Sequence, residues 1–202
     1  MFNSTLDRLQ EDHRRYDGLL CILDRQLFGA RRGDQPDIVL LHDILGYMTR
    51  HAERTHHAFE DRLYERLAAR YPALLPTLDV LNEEHRRIAV YGEELYVKLA
   101  GMVGMADGAE LEPAMMDVLQ AYIELYRAHM RCEERQVLGS ATADLPGSDW
   151  VELVTHCDWR CDPLFRAEAD RAYRELKTRI ATQGAGYWMG RDERADFCPL
   201  CS

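Results

Sequence analysis

The segment His56-His57-Ala58-Phe59-Glu60 carries the pattern from which the architecture of this chain can be worked out. His56 and Glu60 are four residues apart, and side chains at that spacing project from the same face of an α-helix. A second pair with this spacing, His129 and Glu133, lies further along the chain. Each pair interrupts an otherwise apolar helical stripe, so each directs an imidazole and a carboxylate toward the expected protein interior.

Four long helices are predicted, because apolar residues recur at alternating steps of three and four. The stripes run from Leu9 to Leu27, from Ile38 to Leu67, from Leu78 to Met102 and from Leu111 to Val137. Stretches with glycine or proline separate them, and strand signals are weak throughout. Helices with short connections pack as antiparallel neighbours. We therefore predict an all-α fold, an up-down-up-down four-helix bundle over residues 1–145.

A C-terminal extension is expected over residues 146–202. A fifth amphipathic helix is predicted from Trp150 to Ile180, with Asp162-Pro163 as the point where it would break, and the tail from Gly184 is expected to be irregular. The extension carries two close cysteine pairs, Cys157 with Cys161 and Cys198 with Cys201. These thiols could hold a zinc ion, could cycle between thiol and disulfide, or could stay reduced.

Charge and composition restrict the classes of function. The chain has 202 residues, with 25 Lys plus Arg against 35 Asp plus Glu, and its formal net charge of −10 repels a phosphate backbone. No run approaches the ~20 apolar residues that span a bilayer, and the N-terminal residues lack the apolar stretch of a secretory signal. We therefore expect a cytoplasmic protein that binds neither nucleic acid nor membrane, and the sequence identifies no protein partner.

The four apolar stripes carry one interior histidine each, namely His13, His56, His85 and His129. A single such residue is usually a core histidine with satisfied hydrogen bonds, but that explanation is poor for four. Because an α-helix rises about 1.5 Å per residue, counting from the loops places all four at one level of the bundle, together with Glu60 and Glu133. A cation compensates the cost of a carboxylate in an apolar core. We predict a metal site with these ligands: His13, His56, Glu60, His85, His129 and Glu133.

The donor set favours iron, with manganese as an alternative. Imidazoles and carboxylates with open coordination positions suit iron better than zinc, whose structural sites are closed and four-coordinate. Six ligands suit two ions that are bridged by carboxylates and by solvent oxygen. The ferritin-like pattern requires two Glu-x-x-His motifs. Only Glu53-Arg54-Thr55-His56 fits it, because Asn82 and Tyr126 stand three residues before the other two histidines.

These motifs resemble the hemerythrin-like domains, also called HHE cation-binding domains. The resemblance covers about residues 5–140 and rests on Glu11-Asp12-His13-Arg14-Arg15, His56-His57-Ala58-Phe59-Glu60-Asp61, Glu84-His85 and His129-Met130-Arg131-Cys132-Glu133-Glu134. It implies a helical bundle with an oxo- or hydroxo-bridged di-iron centre. In that centre the four histidines would be ligands of two Fe ions, and Glu60 and Glu133 would be bridging carboxylates.

The chain departs from the oxygen-carrying hemerythrins at two places. Those proteins have His-x-x-x-His on the third helix, whereas Ala89 stands four residues after His85. Their last helix has His-x-x-x-x-Asp, whereas Glu133 and Glu134 follow His129 here. We therefore expect a protein that binds, senses or reduces a small oxidant, namely oxygen, peroxide or nitric oxide. The alternatives are a di-iron oxidase or peroxide-consuming enzyme, which steady turnover would identify, and a metal-free helical interaction module.

Several polar residues adjoin the predicted ligands. His57 follows His56 by about 100° around an α-helix and is expected to flank the site. Glu84 and Glu134 are each next to a predicted ligand, and either could complete a coordination sphere. Roles other than ligation are expected for the remaining residues of this region: His42, His51, Tyr16 and Tyr122.

Overall fold

All regular structure in the described part of the chain is helical, and no strand occurs there. The computed structural model describes residues 2–104, 110–139, 145–155, 162–165 and 171–182. The helices are α1 (Phe2–Ala30), α2 (Ile38–Tyr47), α3 (Ala58–Arg70), α4 (Leu75–Met102), α5 (Pro113–Glu133), α6 (Gly147–Thr155) and α7 (Arg174–Thr182), with short 3₁₀ helices at Pro72–Leu74 and Arg171–Tyr173. The predicted all-α class is confirmed, and the up-down-up-down order stays a prediction.

Two predicted helices contain a wider helical form. Met48–His57 is a π-helical segment between α2 and α3, and Glu134–Leu138 is a second one that directly follows α5. In a π-helix each carbonyl accepts from the residue five positions on, and such segments are frequent at functional sites. The sequence predicted helix over both segments but did not distinguish π-helix from α-helix. Apolar residues spaced by three and four also fit a helix with a few widened turns, so this spacing could not reveal the π-helical segments.

Four helical runs surround the interior, namely α1, the continuous run from α2 to α3, α4, and α5. Helix α4 packs against α5 and α2, while α1 packs against α5 and α2. In the extension, α6 packs against α3 and α7 packs against α2. None of the helices in the described ranges combines the length and the apolar character needed to cross a membrane.

The interior consists of two apolar cores with a polar layer between them. The larger core includes the part of α1 from Tyr16 to Leu27 and side chains of α2, α4, α5 and α7. The smaller core includes Leu9 of α1, Phe59 of α3, Leu81 of α4 and Trp150 of α6. On each run, buried histidine or glutamate side chains lie at the boundary between the two cores; they are His13, His56, His57, Glu60, His85, His129 and Glu133. This boundary is the level of the bundle at which counting the helix rise from the loops placed the four histidines and two glutamates.

The described parts of the extension share both cores with the bundle. Trp150 and Leu153 pack in the smaller core, and Leu164 packs in the larger one. The predicted fifth helix is two helices, α6 and α7, with a turn between them in which Asp162 Oδ1 accepts hydrogen bonds from the backbone N–H groups of Leu164 and Phe165 at 2.8 and 2.9 Å. The two cysteine pairs and the tail from Gly184 lie outside the described residues.

Gly92 allows α4 to approach the first π-helical segment closely. A Cβ at this position would lie 2.7 Å from Thr49 Cγ2 and 3.3 Å from Tyr122 Cε2. Thr49 cannot turn away freely, because its hydroxyl donates to the Leu45 carbonyl at 2.8 Å and its β-branched side chain is stiff. The missing side chain thus sets the spacing between the two elements that carry His56 and His85.

We expect Gly92→Ala to lower the free energy of unfolding by about 1 kcal/mol or more. Overpacking a core costs ~1–3 kcal/mol, and a gain of at most ~1 kcal/mol in helix propensity offsets part of it. Gly101→Ala in the same helix is the matched control, because no atom lies within 4 Å of its Cβ. Urea unfolding of the metal-free proteins measures both changes. Equal stability of Gly92→Ala and the wild type would contradict the close approach.

Candidate metal centre

The polar layer contains two groups of side chains whose ligand atoms lie within 4.8 Å of one another. Cluster A consists of His13, His56, Glu60 and Glu133, and cluster B consists of His57, Glu60, His85 and His129. All of these side chains are buried. Glu60 belongs to both clusters, so the two groups form one continuous arrangement of imidazoles and carboxylates.

Glu60 presents one carboxylate oxygen to each cluster. Its Oε1 lies 2.8 Å from His56 Nε2 and 3.4 Å from His13 Nε2 in cluster A. Its Oε2 lies 3.4 Å from His85 Nε2 in cluster B. A carboxylate in this position can bind two cations at once, one through each oxygen.

The remaining contacts differ between the clusters. Glu133 Oε2 lies 3.2 Å from His13 Nε2, whereas Glu133 Oε1 accepts a hydrogen bond of 2.9 Å from the Tyr64 hydroxyl. Glu133 therefore offers one oxygen to cluster A while Tyr64 holds the other. In cluster B, the Nε2 atoms of His85 and His129 lie 3.0 Å apart. Two ring nitrogens at this distance can face a common cation.

A carboxylate stands at the Nδ1 atom of every histidine of the two clusters. The pairs are His13 with Glu134 at 2.9 Å, His56 with Asp12 at 3.6 Å, His57 with Glu53 at 3.0 Å, His85 with Asp61 at 2.7 Å and His129 with Glu84 at 3.1 Å. Such outer carboxylates orient metal-binding imidazoles and make them better donors, because a proton on Nδ1 leaves the Nε2 lone pair available. The arrangement is the one that metal-binding histidines commonly have.

Many inward-facing atoms have no hydrogen-bond partner among the described residues. They are His13 Nε2, both ring nitrogens of His56 and His57, both oxygens of Glu60, and Glu133 Oε2. Several lie close together, as Glu60 Oε1 and His56 Nε2 do, but without the geometry of a hydrogen bond. Each unsatisfied buried polar atom costs ~1–3 kcal/mol. A cation in each cluster would bind one nitrogen of each imidazole together with the carboxylate oxygens, so the residues present fit a metal.

The ionisation states of Glu60 and His57 suit a cation. Burial alone would raise the pKa of Glu60, but the neighbouring His56 and His13 lower it well below its ordinary value, so the carboxylate is charged. Burial and the nearby His85 lower the pKa of His57 well below its ordinary value, so this ring is neutral. Burial opposes protonation of His13, His56 and His85, but the carboxylates beside them raise all three pKa values, that of His85 to about 10. Metal ions bind deprotonated ligands, so a cation has to displace these protons.

The structure brings all six predicted site residues together, in clusters A and B. His57, which was expected to flank the site, lies in cluster B. His57 ends the π-helical segment, where less rotation separates successive residues than in an α-helix, so His56 and His57 both reach the polar layer. The spacing of three between His57 and Glu60 was the signal that could have revealed it.

The other neighbouring residues lie outside both clusters. Glu84 and Glu134, each considered as a further ligand, instead contact the Nδ1 atoms of His129 and His13. The His42 ring stacks on Tyr96 with a centroid distance of 4.7 Å. Rings that pack near the layer include those of His51, Tyr16 and Tyr122.

Comparison with known families gives an independent identification. Residues 4–141 match the family model described as the hemerythrin HHE cation binding domain. A search of curated proteins and a search of solved structures each found no significant match to the chain. The matched range contains every residue of clusters A and B and covers more than half of the chain. The chain therefore belongs to the hemerythrin HHE cation-binding domain family.

Proposed function

We propose that this chain holds two iron ions, one in each cluster, and uses them to bind, sense or reduce a small oxidant such as oxygen, peroxide or nitric oxide. The observation that carries the proposal is Glu60, whose two oxygens face different groups of imidazole nitrogens. Metal cations on both sides would compensate the charge of this shared carboxylate and leave the imidazoles free to act as ligands. This shared residue supports a dinuclear centre more directly than the number of ligands does.

A metal-free interaction module would leave the polar layer unexplained. It would bury the charged carboxylate of Glu60 in a core without a hydrogen bond to either oxygen. Burying an incompletely compensated charge costs several kcal/mol. Three of the five buried imidazoles around it, those of His13, His56 and His57, would add further unsatisfied atoms without a compensating gain. A bound cation in each cluster removes this cost.

The donor types support iron as the cation. Each cluster consists of imidazoles and carboxylates and contains no thiolate. Four residues can saturate zinc, whereas iron prefers more ligands and therefore keeps positions for solvent and for a small molecule. When bound, the iron pair would supply electrons to such a molecule. Manganese prefers similar donors, so a metal-content measurement decides between the two.

The chain's own residues position and shield this centre. Tyr64 fixes Glu133 through its hydrogen bond, and the outer carboxylates fix the imidazoles. A cavity of about 250 Å³ adjoins cluster A, and its lining includes His13, Arg14, Arg127 and Glu134. His13 is the cluster residue in this lining. We infer that a small oxidant reaches the centre on the side of cluster A.

Anaerobic loading with Fe(II) should yield two iron ions per chain, one for each cluster. Glu60→Ala should lose both ions, because it removes the ligand that the clusters share. Glu65→Ala, an exposed glutamate on the same helix, is the matched control and should keep both. Iron analysis after gel filtration gives the ratios, and circular dichroism checks folding. A folded wild type that takes up no iron would refute the proposal.

Loss of His57 should affect one cluster only. We expect His57→Ala to retain the iron of cluster A and to lose most of the iron of cluster B, so that the content approaches one per chain. His42→Ala is the control, because this ring lies outside both clusters and should leave the content at two. The same iron analysis reads out both variants. If His57→Ala retains full iron content, His57 is not a ligand.

The outer carboxylates should tune metal affinity. Glu84→Gln keeps the size of the side chain but removes the charge beside His129 Nδ1, and should weaken Fe(II) binding ~10–100-fold, as outer-sphere changes do. Glu83→Gln is the control, since this exposed neighbour pairs with Arg86 instead. Competition with a chromophoric chelator measures both affinities. Equal affinities of the two variants would show that Glu84 only packs against the ring.

A further inference from the structure

A row of aromatic rings leads from cluster A toward the surface of the bundle. The Tyr16 ring lies edge-on to His56 at a centroid distance of 5.1 Å. The Tyr47 ring lies 6.4 Å from Tyr16, and the Tyr173 ring lies 5.7 Å from Tyr47. Tyr16 and Tyr47 are buried, whereas Tyr173 is partly exposed. Each step between rings is short enough for an electron to pass.

Within this row, the hydroxyl of Tyr47 donates a hydrogen bond of 2.8 Å to Asp162 Oδ2, and both side chains are buried. The carboxylate is held in place, because its other oxygen accepts from the backbone N–H groups of Leu164 and Phe165. Burial and the neighbouring Asp162 raise the pKa of Tyr47 well above its ordinary value, so the phenol keeps its proton at rest.

Such a pair has a specific chemical property. A phenol that loses an electron becomes a strong acid, so a buried tyrosine is oxidised readily only where a base can take its proton. Asp162 is such a base, at hydrogen-bond distance from Tyr47 and outside both clusters. Proton transfer between them needs no solvent and changes no residue of the candidate centre.

We propose that Tyr47 and Asp162 form a redox relay between the metal centre and the surface beside Tyr173. The relay rests on the proposed function, because its electron acceptor is the iron pair after a peroxide has oxidised it. Tyr47 gives one electron through Tyr16 and His56 to the centre, and its phenolic proton moves to Asp162 Oδ2. A neutral tyrosyl radical and a protonated carboxyl group result. An external one-electron donor at Tyr173 then restores the phenol, and the proton returns to Tyr47.

Two other tyrosines near the centre do not have this combination. Tyr126 lies 6.1 Å from Tyr16, but its hydroxyl has no hydrogen-bond partner among the described residues, so no base takes its proton there. Tyr64 donates to Glu133, which is itself a cluster residue, so a proton transferred to that carboxylate would weaken a ligand. Tyr47 is therefore the tyrosine that is oxidised in the relay.

The test uses the full chain loaded with iron, oxidised with hydrogen peroxide and frozen within milliseconds for electron paramagnetic resonance. We expect a tyrosyl radical signal that narrows when ring-deuterated tyrosine is incorporated. Tyr47→Phe should lose the signal while its iron content stays that of the wild type. Tyr122→Phe, which removes another buried phenol of the same region, is the control and should keep the signal.

A second readout is the rate at which ascorbate reduces the oxidised centre, followed optically. Tyr47→Phe should slow this rate, and Asp162→Asn should slow it ~10²-fold or more, as loss of a positioned base does. Asp162→Asn also changes the turn at Leu164, so thermal unfolding is measured alongside, and Tyr47→Phe remains the decisive variant if Asp162→Asn unfolds.

The outcomes distinguish a failure of the relay from a failure of the proposed dinuclear iron centre. A wild type that takes up no iron would refute the dinuclear centre and the relay together. Full iron uptake with an unchanged radical signal and an unchanged ascorbate rate in Tyr47→Phe would refute the relay alone. A radical that disappears in Tyr64→Phe but not in Tyr47→Phe would assign the electron path to Tyr64 and would also overturn the relay.

Discussion

The burial of one charged carboxylate, that of Glu60, is the constraint on which the rest of this structure depends. A charge in an apolar interior is stable only if groups of opposite polarity surround it. Here imidazole nitrogens from all four helical runs approach its two oxygens, and outer carboxylates in turn orient the imidazoles. The polar layer is thus a connected network of imidazoles and carboxylates whose centre is suited to cations. This agrees with membership of a cation-binding family.

This layer determines how the helices can be built and packed. It divides the interior into two apolar cores, and each core has to hold its end of the helices in register so that the ligand atoms meet. The π-helical segments flank the layer and adjust the direction of the side chains beside it. Gly92 permits the close helix approach, and the extension completes both cores through Trp150 and Leu164.

Much of this arrangement could be predicted from the sequence, and the parts that could not be predicted have identifiable physical causes. The helical stripes and the level of the histidines could be predicted because helix period and rise are constant. The π-helical segments could not, because their hydrogen-bond pattern leaves little trace in apolar spacing. Without the first π-helical segment, His57 was expected only to flank the site. Glu84 and Glu134 were considered as ligands because of their place next to a ligand in sequence, but both lie behind the histidines that they orient.

The sequence by itself determined the helical class, the two His-x-x-x-Glu pairs and the donor chemistry that favours a cation, because these properties depend on residue type and local spacing. Only the tertiary structure decided which nitrogen faces which oxygen. His13 meets Glu134 across 121 residues of chain, and Tyr47 meets Asp162 across 115. Contacts between residues so distant depend on helix rotation, on side-chain packing and on the two cores, none of which local spacing specifies.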